Sequence, residues 1–349
     1  MRDKKKRLLQ GGGRLIALVL LGAVLLAAPW AAETAVTDVK EKLKGPQPEW
    51  TGVLSAGIVP SFPTVNLNGW LAARSREFEK QQGCVLLTLR EMTAQGVKAA
   101  AATQNLPDLL FFGQGALDDP ATLFLCIETE VSPRAALQNV GMQNGARYAV
   151  PLAVGAYGLL GDVAQLDAAG WTPQMDAEQT LRLCAEKDLA VACPLMPYTS
   201  PENALRAMGD ATGMRVETGK VHFKLWPDFV IERKYAFYVA TQREVRRMET
   251  LQAAGKGFDT VLIVPQTPYL DQILLGGAVK AEFTGHGQDT AYRAQMAGRF
   301  FAHLLTEESQ SQLSQAGLFP AIDGAAAYEK DSDLGKMEAS LQGQGGVCP

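Results

Sequence analysis

The residue types best suited to catalysis and metal binding are few and scattered in this sequence. The chain has only three histidines, His222, His286 and His303, and their wide spacing favours neither a zinc site nor a histidine-based triad. The sequence contains no Gly-x-Ser-x-Gly, His-Glu-x-x-His or phosphate-loop motif. Carboxylates are numerous, so an acid pair for glycoside hydrolysis stays open, although no pair stands out. We expect a protein without catalytic activity, metal or cofactor.

The cysteines form an odd set that lacks the spacing of a zinc knuckle. They are Cys84, Cys126, Cys184, Cys193 and Cys348. A bridge between Cys184 and Cys193 is compatible with an exported protein, and buried free thiols are equally compatible with the same positions. We expect free thiols.

The N-terminus has the pattern of an export signal. A basic stretch, MRDKKKRLLQGGGR, precedes the apolar run LIALVLLGAVLLAAPWAA at 15–32. The run suits either a signal peptide or a retained membrane anchor, and Pro29 and Trp30 disfavour the nearest cleavage sites. No cysteine follows the run before Cys84, so a lipid-modified N-terminal cysteine is excluded. We assign 1–32 to a signal peptide or anchor and place the rest outside the cytoplasm.

The composition is that of a folded, acidic body. Apolar residues make up 47% of the chain and charged residues 20%, which argues against disorder. The formal net charge is −4, and the basic N-terminal stretch makes the remainder more acidic still. An acidic exported body is poorly suited to binding nucleic acid. The length of 349 residues predicts two lobes or more.

The first part of the body alternates strand and helix patterns. The polar stretch at 33–50 predicts a linker. Strands are predicted in TGVLSAGIVPSF, CVLLTLREM and PDLLFFGQG, and helices in NGWLAARSREFEKQQG and TAQGVKAAAATQNL between them. This β-α-β-α-β order predicts a mostly parallel sheet with helices on its faces.

The second part continues the alternation. The segment RYAVPLAVGAYGLLGDVAQLDAAGW predicts two short strands and a helix ended by Gly170. Further helices are predicted after Asp176 and from about Gln242, and further strands in LAVACPLMPY, YAFYVAT and FDTVLIVPQTPY; ILLGGAVKAEFT predicts a strand or a turn. The last predicted helix, in LLTEESQSQLSQAGLFPA, ends at Gly317 and has no residue suited to chemistry.

Five segments match, in order, the segments of a known protein family. They are WLAARSREFEKQQGCVLLTL, NLPDLLFFG, YAVPLAVGAYGLLGDVAQLDAAGW, VIERKYAFYVAT and AGRFFAHLLTEESQSQLSQAGLFPA. Each is weak alone, but their common order, spread over about 52–325, resembles extracellular solute-binding proteins of ABC importers, the sugar-type group in particular.

The resemblance implies an α/β fold of two lobes with a ligand cleft between them, the type II periplasmic-binding-protein-like fold. Lobe 1 would comprise 51–150 and about 266–305, and lobe 2 would comprise 151–265 and about 306–330. A C-terminal tail would follow at 331–349. Hinges are expected at 149–151 and 264–266, and closure of the lobes would bury the ligand.

The resemblance also implies a function. The protein would capture a small polar solute, a carbohydrate, and deliver it as a monomer to an ABC permease without making or breaking a bond. An alternative keeps the same fold as a sensory or scaffold module of the cell envelope.

Three departures from the family's pattern leave the ligand class open. Arg233 replaces the usual glycine before Lys234, VATQREV replaces a frequent Gly-x-Trp, and LLGDV replaces a usual Tyr-Asn pair.

Aromatic and polar residues just after strands are the candidate ligand contacts, because sugars offer apolar faces to rings and hydroxyls to planar polar groups. Trp70 and Trp226 are equally compatible with the core, Asp119 with a helix cap, and Arg243 with a solvated helix face. The candidates are Phe62, Asn66, Trp70, Gln114, Asp118, Asp119, Tyr157, Tyr198, Trp226, Thr241, Arg243 and Tyr269.

Overall fold

The computed structural model describes residues 50–60, 66–127, 131–195, 201–209, 213–220, 224–265, 268–287 and 289–342. The predicted export signal, nearly all of the predicted linker, Phe62 and Tyr198 lie outside these ranges. Within the ranges, no helix combines the length and the apolar character needed to cross a bilayer. Gly52 begins a compact unit that contains all the elements below.

The strands form one large curled sheet and one small hairpin. In chain order they are β1 Gly52–Val59, β2 Val85–Glu91, β3 Leu109–Gly113, β4 Met142–Gln143, β5 Ala146–Arg147, β6 Val150–Asp162, β7 Ala190–Leu195, β8 Arg215–Lys220, β9 Phe237–Thr241, β10 Thr260–Ile263, β11 Leu270–Ala278 and β12 Phe319–Pro320. The sheet order is β2-β1-β3-β11-β6-β9-β7-β8, with β10 and β12 also paired to β6, while β4 and β5 form the hairpin.

Most helices lie between strands, and the short helices and the one in the predicted C-terminal tail add to those that the sequence predicts. The helices are α1 Leu67–Gln82, α2 Ala94–Ala102, α3 Pro120–Leu123, α4 Val163–Ala169, α5 Ala177–Glu186, α6 Pro201–Met208, α7 Trp226–Val230, α8 Gln242–Ala253, α9 Ala281–Thr284, α10 Thr290–Leu304, α11 Glu307–Ser311 and α12 Asp333–Ser340, with short 3-10 turns at Ala135–Leu137 and Leu313–Ala316.

The first half of the sheet confirms the predicted β-α-β-α-β unit. Strand β1 is parallel to β2 and to β3, with Gly52 opposite Val85 and Ala56 opposite Leu109. The second half repeats this arrangement, because β7 is parallel to β8 and to β9. Strand β8 has no counterpart among the predicted strands.

The centre of the sheet is antiparallel, so the prediction of a mostly parallel sheet is wrong there. Strand β11 is antiparallel to β3 and β6, and β6 is antiparallel to β9 and β10. Helical crossovers produce parallel pairs, but β6 and β11 instead carry the chain from one half of the sheet to the other. Their directions follow from that crossing.

Strand β6 is continuous over thirteen buried residues, so the prediction of two short strands is also wrong. Its glycines mark close packing by neighbouring side chains. A Cβ atom at Gly161 would lie 2.5 Å from the Phe237 ring, and one at Gly158 would lie 3.0 Å from Leu262. Glycine is therefore needed to admit these neighbours and does not break the strand.

Helix ends follow the local sequence signals. Asp176 and Gln179 form a reciprocal capping box at the start of α5. Gly83, Gly170 and Gly317 adopt left-handed conformations with φ of 65°, 87° and 69°, and each ends a helical segment. These positions confirm the predicted helix ends.

Two hydrophobic clusters hold the elements together. The larger one combines β3, β6 and β11 with α8 and α12, so the stretch at 331–342 contributes a packed helix. The smaller one packs α4, α5 and α6 against β7 and β9. Cys184 and Cys193 are buried free thiols in the smaller cluster, and burial raises the pKa of both to about 12.

Candidate functional site

The carboxyl ends of strands from both halves of the sheet meet at the middle of β6. The backbone N–H of Gln114, just after β3, donates to the Ile273 carbonyl at 2.9 Å, and Ile273 pairs with Val154 of β6. On the other side, Thr241 ends β9 opposite Tyr157 of β6. Ligands of open α/β sheets bind beyond the carboxyl ends of strands. The few residues of β6 between these two edges are therefore where a site is expected.

A buried polar group surrounds Gly155 at this point. We call Gln242, Arg243, Asp271 and Gln272 the junction cluster. A Cβ atom at Gly155 would lie 2.6 Å from Nε2 of Gln242 and 3.1 Å from Oδ2 of Asp271. Only glycine leaves room for both groups beside the strand.

Arg243 connects the second half of the sheet to β11. Its Nη1 donates to Oδ2 of Asp271 at 3.1 Å and to Oε1 of Gln272 at 2.6 Å. Consecutive residues of a regular strand point to opposite faces, so one guanidinium nitrogen would not reach the side chains of both Asp271 and Gln272. The β6–β11 pairing shifts register between Leu270 and Ile273, and this irregularity brings both side chains to Arg243.

The first turn of α8 places Gln242 and Arg243 against β6 and β11. Thr241 and Glu244 form a capping box, in which Oε2 of Glu244 accepts from the Thr241 N–H at 2.9 Å and from its hydroxyl at 2.5 Å. The Thr-x-x-Glu spacing in the sequence fixes this helix start. Oε1 of Gln242 then accepts from the Ala156 N–H at 3.1 Å.

Burial dominates the electrostatics of Asp271. It raises the pKa of this carboxyl to about 6, against the opposing effects of the Arg243 cation and of a hydrogen bond from Tyr157, while the nearby Glu244 adds to the rise. Asp271 therefore titrates close to neutral pH.

Three side-chain amides at the junction have polar atoms that no described residue satisfies. They are Nε2 of Gln242, Nε2 of Gln272 and Oε1 of Gln114, all shielded from solvent. A buried amide atom left without a hydrogen bond costs about 1–3 kcal/mol. An ordered water and a bound molecule are two ways in which such an atom obtains its partner.

A groove lies at the carboxyl ends of the strands in the first half of the sheet. Its volume is about 360 Å³, near the lower end of the range for small-molecule sites. It lies at the carboxyl ends of β1 and β2 and at the start of α2. The lining residues are Val59, Pro60, Glu91, Met92, Thr93, Ala94 and Ala116.

Polar groups of the groove are held by local hydrogen bonds. Oε1 of Glu91 accepts from Nδ2 of Asn68 at 2.6 Å, and Oγ1 of Thr93 accepts from the Gly96 N–H at 2.9 Å, which caps α2. Gln114 links the groove to the junction, because its N–H is bonded to β11 and Ala116, two residues on, lines the groove.

Five of the predicted ligand contacts lie at the junction. Tyr157 and Tyr269 are buried, with ring centroids 6.0 Å apart, and the Tyr157 N–H donates to the Tyr269 carbonyl at 3.0 Å. Thr241, Arg243 and Gln114 have been placed above. The fold thus brings together residues that are up to 155 positions apart in the sequence.

Three others lie at the surface in local contacts. Oδ1 of Asn66 accepts from the Gly69 N–H at 3.0 Å and caps α1. Asp118 forms a 2.6 Å ion pair with Lys98. Oδ2 of Asp119 accepts from the Thr122 hydroxyl at 2.7 Å, and this hydrogen bond lowers the pKa of Asp119.

The two predicted tryptophans lie in the core, the alternative that their sequence positions left open. Trp70 is fully buried and its Nε1 donates to the Ser309 carbonyl at 3.2 Å. Trp226 packs edge-on against Tyr238 at 5.2 Å, with the Arg247 guanidinium 5.1 Å from its ring.

The sequence-based selection missed Asp271 and Gln272. The signal was available, since these two polar residues stand between Leu270 and the apolar run that begins at Ile273. Polar residues next to an apolar run indicate a hydrogen-bonded position where the run proves to be a buried strand.

Comparisons with known proteins reach this chain through structure alone. No protein-family model matches it, and no curated protein matches its sequence. The sugar-binding protein MalE of Xanthomonas citri is 16% identical, with a TM-score of 0.60 over 83% of this chain and 85% of that chain. The GacH receptor of Streptomyces glaucescens, solved unliganded and with acarbose, is 14% identical, with a TM-score of 0.57 over 86% and 88%.

A third neighbour is the galacto-N-biose/lacto-N-biose I-binding protein of the ABC transporter of Bifidobacterium longum. It is 11% identical, with a TM-score of 0.57 over 84% of this chain and 86% of that chain. These likenesses show the fold. The chain has the α/β, type II periplasmic-binding-protein-like fold of sugar-binding proteins of ABC transporters.

Proposed function

We propose that this protein captures a small polar solute, a carbohydrate, between the two halves of its sheet and delivers it to an ABC permease. The observation that carries the proposal is the junction itself. Two sets of strand carboxyl ends meet at a buried group of amide and charged side chains, within a fold that the neighbours use to bind sugars.

The proposed capture is a closure of two lobes without chemical reaction. Lobe 1 comprises 51–150 and about 266–305, and lobe 2 comprises 151–265 and about 306–330, as the resemblance implies. Arg243 belongs to lobe 2 and Asp271 to lobe 1, so their 3.1 Å ion pair supports a closed arrangement across the junction. The hinges at 149–151 and 264–266 stay a prediction.

The proposed ligand contacts centre on the junction. Gln114, Tyr157, Thr241, Arg243 and Tyr269 come from the sequence, and the structure supports adding Gln242, Asp271 and Gln272. Asn66, Asp118 and Asp119 lie on loops at strand ends and stay proposals for the rim, as do Phe62 and Tyr198.

The proposed setting is the outer face of the cytoplasmic membrane. The basic and apolar N-terminus supports export, with the body either released or held by 1–32. The acidic composition supports a protein that works beside an anionic membrane without adhering to it. The proposed partners are a sugar and a permease, and the protein acts as a monomer.

The function can be tested by thermal unfolding of the full chain in mild detergent against single compounds. The panel contains monosaccharides, polyols, oligosaccharides, amino acids, oligopeptides and polyamines. A ligand at a hundredfold excess over its Kd stabilises the folded state by about 2.7 kcal/mol, so a sugar or polyol is expected to raise the unfolding midpoint. A cooperative transition that no sugar or polyol shifts would contradict the proposal.

A sensory or scaffold role is a second candidate, favoured by the near-complete burial of the junction cluster. Asp271 and Gln272 already have partners within the chain, so the junction could serve as a fixed joint. Neighbouring genes separate the two roles: permease genes support uptake, and a histidine kinase gene supports sensing.

A further inference from the structure

We infer that Arg246 is a positioning residue of the proposed capture, which holds the two lobes together through one hydrogen bond to the carbonyl of Ser314, outside the junction. The inference rests on the proposed function and names a residue that sets affinity without touching the ligand. Three observations carry it: the packing of the 305–316 segment, the place of Arg246 on α8, and the different surroundings of its neighbour Arg247.

The 305–316 segment is fixed to a helix of the first half of the sheet. Nε1 of Trp70 donates to the Ser309 carbonyl at 3.2 Å. Nη2 of Arg74 donates to Oε1 of Gln312 at 2.8 Å. Both donors lie on α1 and are almost entirely buried. Because α1 belongs to lobe 1, we expect the segment to move with lobe 1, although the resemblance assigns most of it to lobe 2.

Gln310 fixes the same segment from its other side. Its Nε2 donates to the carbonyl of Leu304, at the end of α10, at 2.8 Å and to that of Leu152 on β6 at 2.9 Å. Helix α10 packs on α1 and β11, which are both elements of lobe 1. Strand β12, which follows the segment, pairs with Ala153 and Val154, where β6 also pairs with β11. These contacts tie the segment to lobe 1.

Arg246 reaches this segment from lobe 2. It lies on α8, which packs on β9, and its Nη1 donates to the Ser314 carbonyl at 2.7 Å in a partly buried hydrogen bond. The same helix has Arg243 three residues earlier, and the ion pair of Arg243 with Asp271 also joins the lobes. Residues three apart lie on the same side of a helix, so α8 presents two cationic donors to lobe 1, one at the junction and one outside it.

The hydrogen bond of Arg246 favours the closed arrangement of the lobes. A hydrogen bond from a charged donor is roughly twice as strong as one between neutral groups. Opening of the lobes separates Arg246 from Ser314, because the two residues belong to different lobes. The contact therefore stabilises the arrangement in which Arg243 also meets Asp271, and a ligand that binds this arrangement binds more tightly.

Arg247, the next residue of α8, provides a matched control. Its guanidinium lies 5.1 Å from the Trp226 ring, so this contact stays within lobe 2. Arg247→Met removes the same charge from the same helix but breaks no contact between the lobes. Arg246→Lys keeps a cation that can donate to the Ser314 carbonyl, and should retain most of the effect.

The test is the distance between two nitroxide spin labels, measured by pulsed electron paramagnetic resonance on the full chain in mild detergent. The labels are attached at Arg76→Cys on α1 and Lys187→Cys at the end of α5, which are both exposed. Cys184 and Cys193 are kept, because their burial protects them from the label. Serine replaces the remaining cysteines, which are Cys84, Cys126 and Cys348.

We expect the unmodified chain without ligand to populate the label distance of the structure. Arg246→Met should move at least about half of that population to longer distances, while Arg247→Met leaves it unchanged. With the sugar or polyol found in the panel, Arg246→Met should raise Kd and koff about fivefold and leave kon nearly unchanged, because the lost contact forms only on closure. Unfolding midpoints show that each variant is folded.

The outcomes separate this inference from the proposed function. If Arg246→Met leaves the label distances unchanged, or if the unmodified chain lacks the distance of the structure, the inference is overturned and the proposed function stands. If Arg247→Met lengthens the distances as much as Arg246→Met, the charge of the helix is the cause and the inference is again overturned. If no sugar or polyol binds, the proposed function fails, while the label distances still decide whether Arg246 holds the lobes together.

Discussion

Two arginines of this protein, one buried and one largely shielded from solvent, have carboxylate partners, yet their surroundings differ. Arg134 lies with Glu338 where 3% or less of either side chain is exposed, and its nitrogens also donate to the carbonyls of Ile322, Ala325 and Glu338. Arg243 donates to Asp271 and Gln272, beside amides that lack partners among the described residues.

The difference separates an arginine that holds the fold from one that lies at the proposed binding site. The Glu338 carboxylate accepts from the N–H groups of Ala327 and Tyr328 at 2.9–3.1 Å, so that the Arg134 site is complete within the chain. A fully satisfied buried network makes a structure unique and rigid. An incompletely satisfied one calls for a further partner, for which a water or a ligand is suited.

The largest expected effect is the loss of stability in Arg134→Met. This change leaves three carbonyls without their donor and the buried Glu338 carboxylate without its cation, and breaking a buried pair costs about 3–5 kcal/mol. Urea unfolding followed by circular dichroism measures it. Arg182→Met, which removes an exposed pair with Glu178, is the control and should change stability by less than about 0.5 kcal/mol. Equal losses of stability in Arg134→Met and Arg182→Met would show that the Arg134 network does not hold the fold.

The second prediction concerns pH. The folded-state pKa of Asp271, about 6, lies above its unfolded value of about 3.9, so the folded state binds this proton more tightly. The resulting stabilisation is complete below about pH 4 and is lost as pH rises through about 6, a change of about 3 kcal/mol.

The check is the difference in unfolding free energy between the unmodified chain and Asp271→Asn, measured from pH 4 to pH 7. Other titrating groups largely cancel in that difference. As pH rises, the unfolding free energy of the unmodified chain should fall relative to that of Asp271→Asn. A difference that stays constant would mean that Asp271 titrates alike in both states.

The third prediction is that Arg243→Met costs about 2 kcal/mol, less than Arg134→Met. Asp271 can take up a proton near neutral pH and so avoid an isolated buried charge, and the Arg243 side chain is 12% exposed against 1% for Arg134. Sugar binding should fall at least tenfold in Arg243→Met and stay unchanged in a partially destabilised, still folded Arg134 variant. Calorimetry with the ligand found in the panel measures the binding of each variant. Loss of binding in both variants would mean that Arg243 has no role in binding that Arg134 lacks.

The smallest expected effect is at a third arginine, Arg233, which is 41% exposed and bonds the buried Asp162 through two nitrogens. Its φ is +51°, a left-handed conformation that costs a non-glycine residue about 1–2 kcal/mol. The Phe258 ring, 4.6 Å from its guanidinium, helps to hold it. Glycine, which the family's pattern has at this position, would relieve the backbone strain but would remove the ion pair with Asp162.

Arg233→Gly should therefore cost only about 1 kcal/mol, and Arg233→Ala, which loses the pair and keeps the strain, about 1 kcal/mol more. Urea unfolding of both variants measures the gap. An alanine variant as stable as the glycine variant would show that the backbone at this position is not strained.

Helix α11, in the last helical segment that the sequence predicts, illustrates what local patterns miss. Gln310 of α11 is fully buried, and its Nε2 donates to the carbonyls of Leu152 and Leu304 at 2.9 and 2.8 Å. Its Oε1 accepts from the Ala321 N–H at 2.7 Å. One glutamine among several in a polar stretch thus ties β6, α10 and the end of β12 together, and no spacing in the sequence distinguishes it.

The sequence by itself determined the local structure and the fold class. Capping boxes at Asp176 and Thr241, glycines at helix ends and apolar strand runs act over a few residues, so the printed order of residues contains them. The ordered segments that resemble sugar-type binding proteins agree with the fold of the solved neighbours.

Only the tertiary structure decided which polar residues meet at the proposed site. Trp70 and Trp226 are buried because other elements cover them, while Asp271 and Gln272 meet Arg243 because the β6–β11 pairing shifts register. Packing and strand register bring together residues that are far apart in the sequence. Short-range sequence patterns carry no information on such contacts.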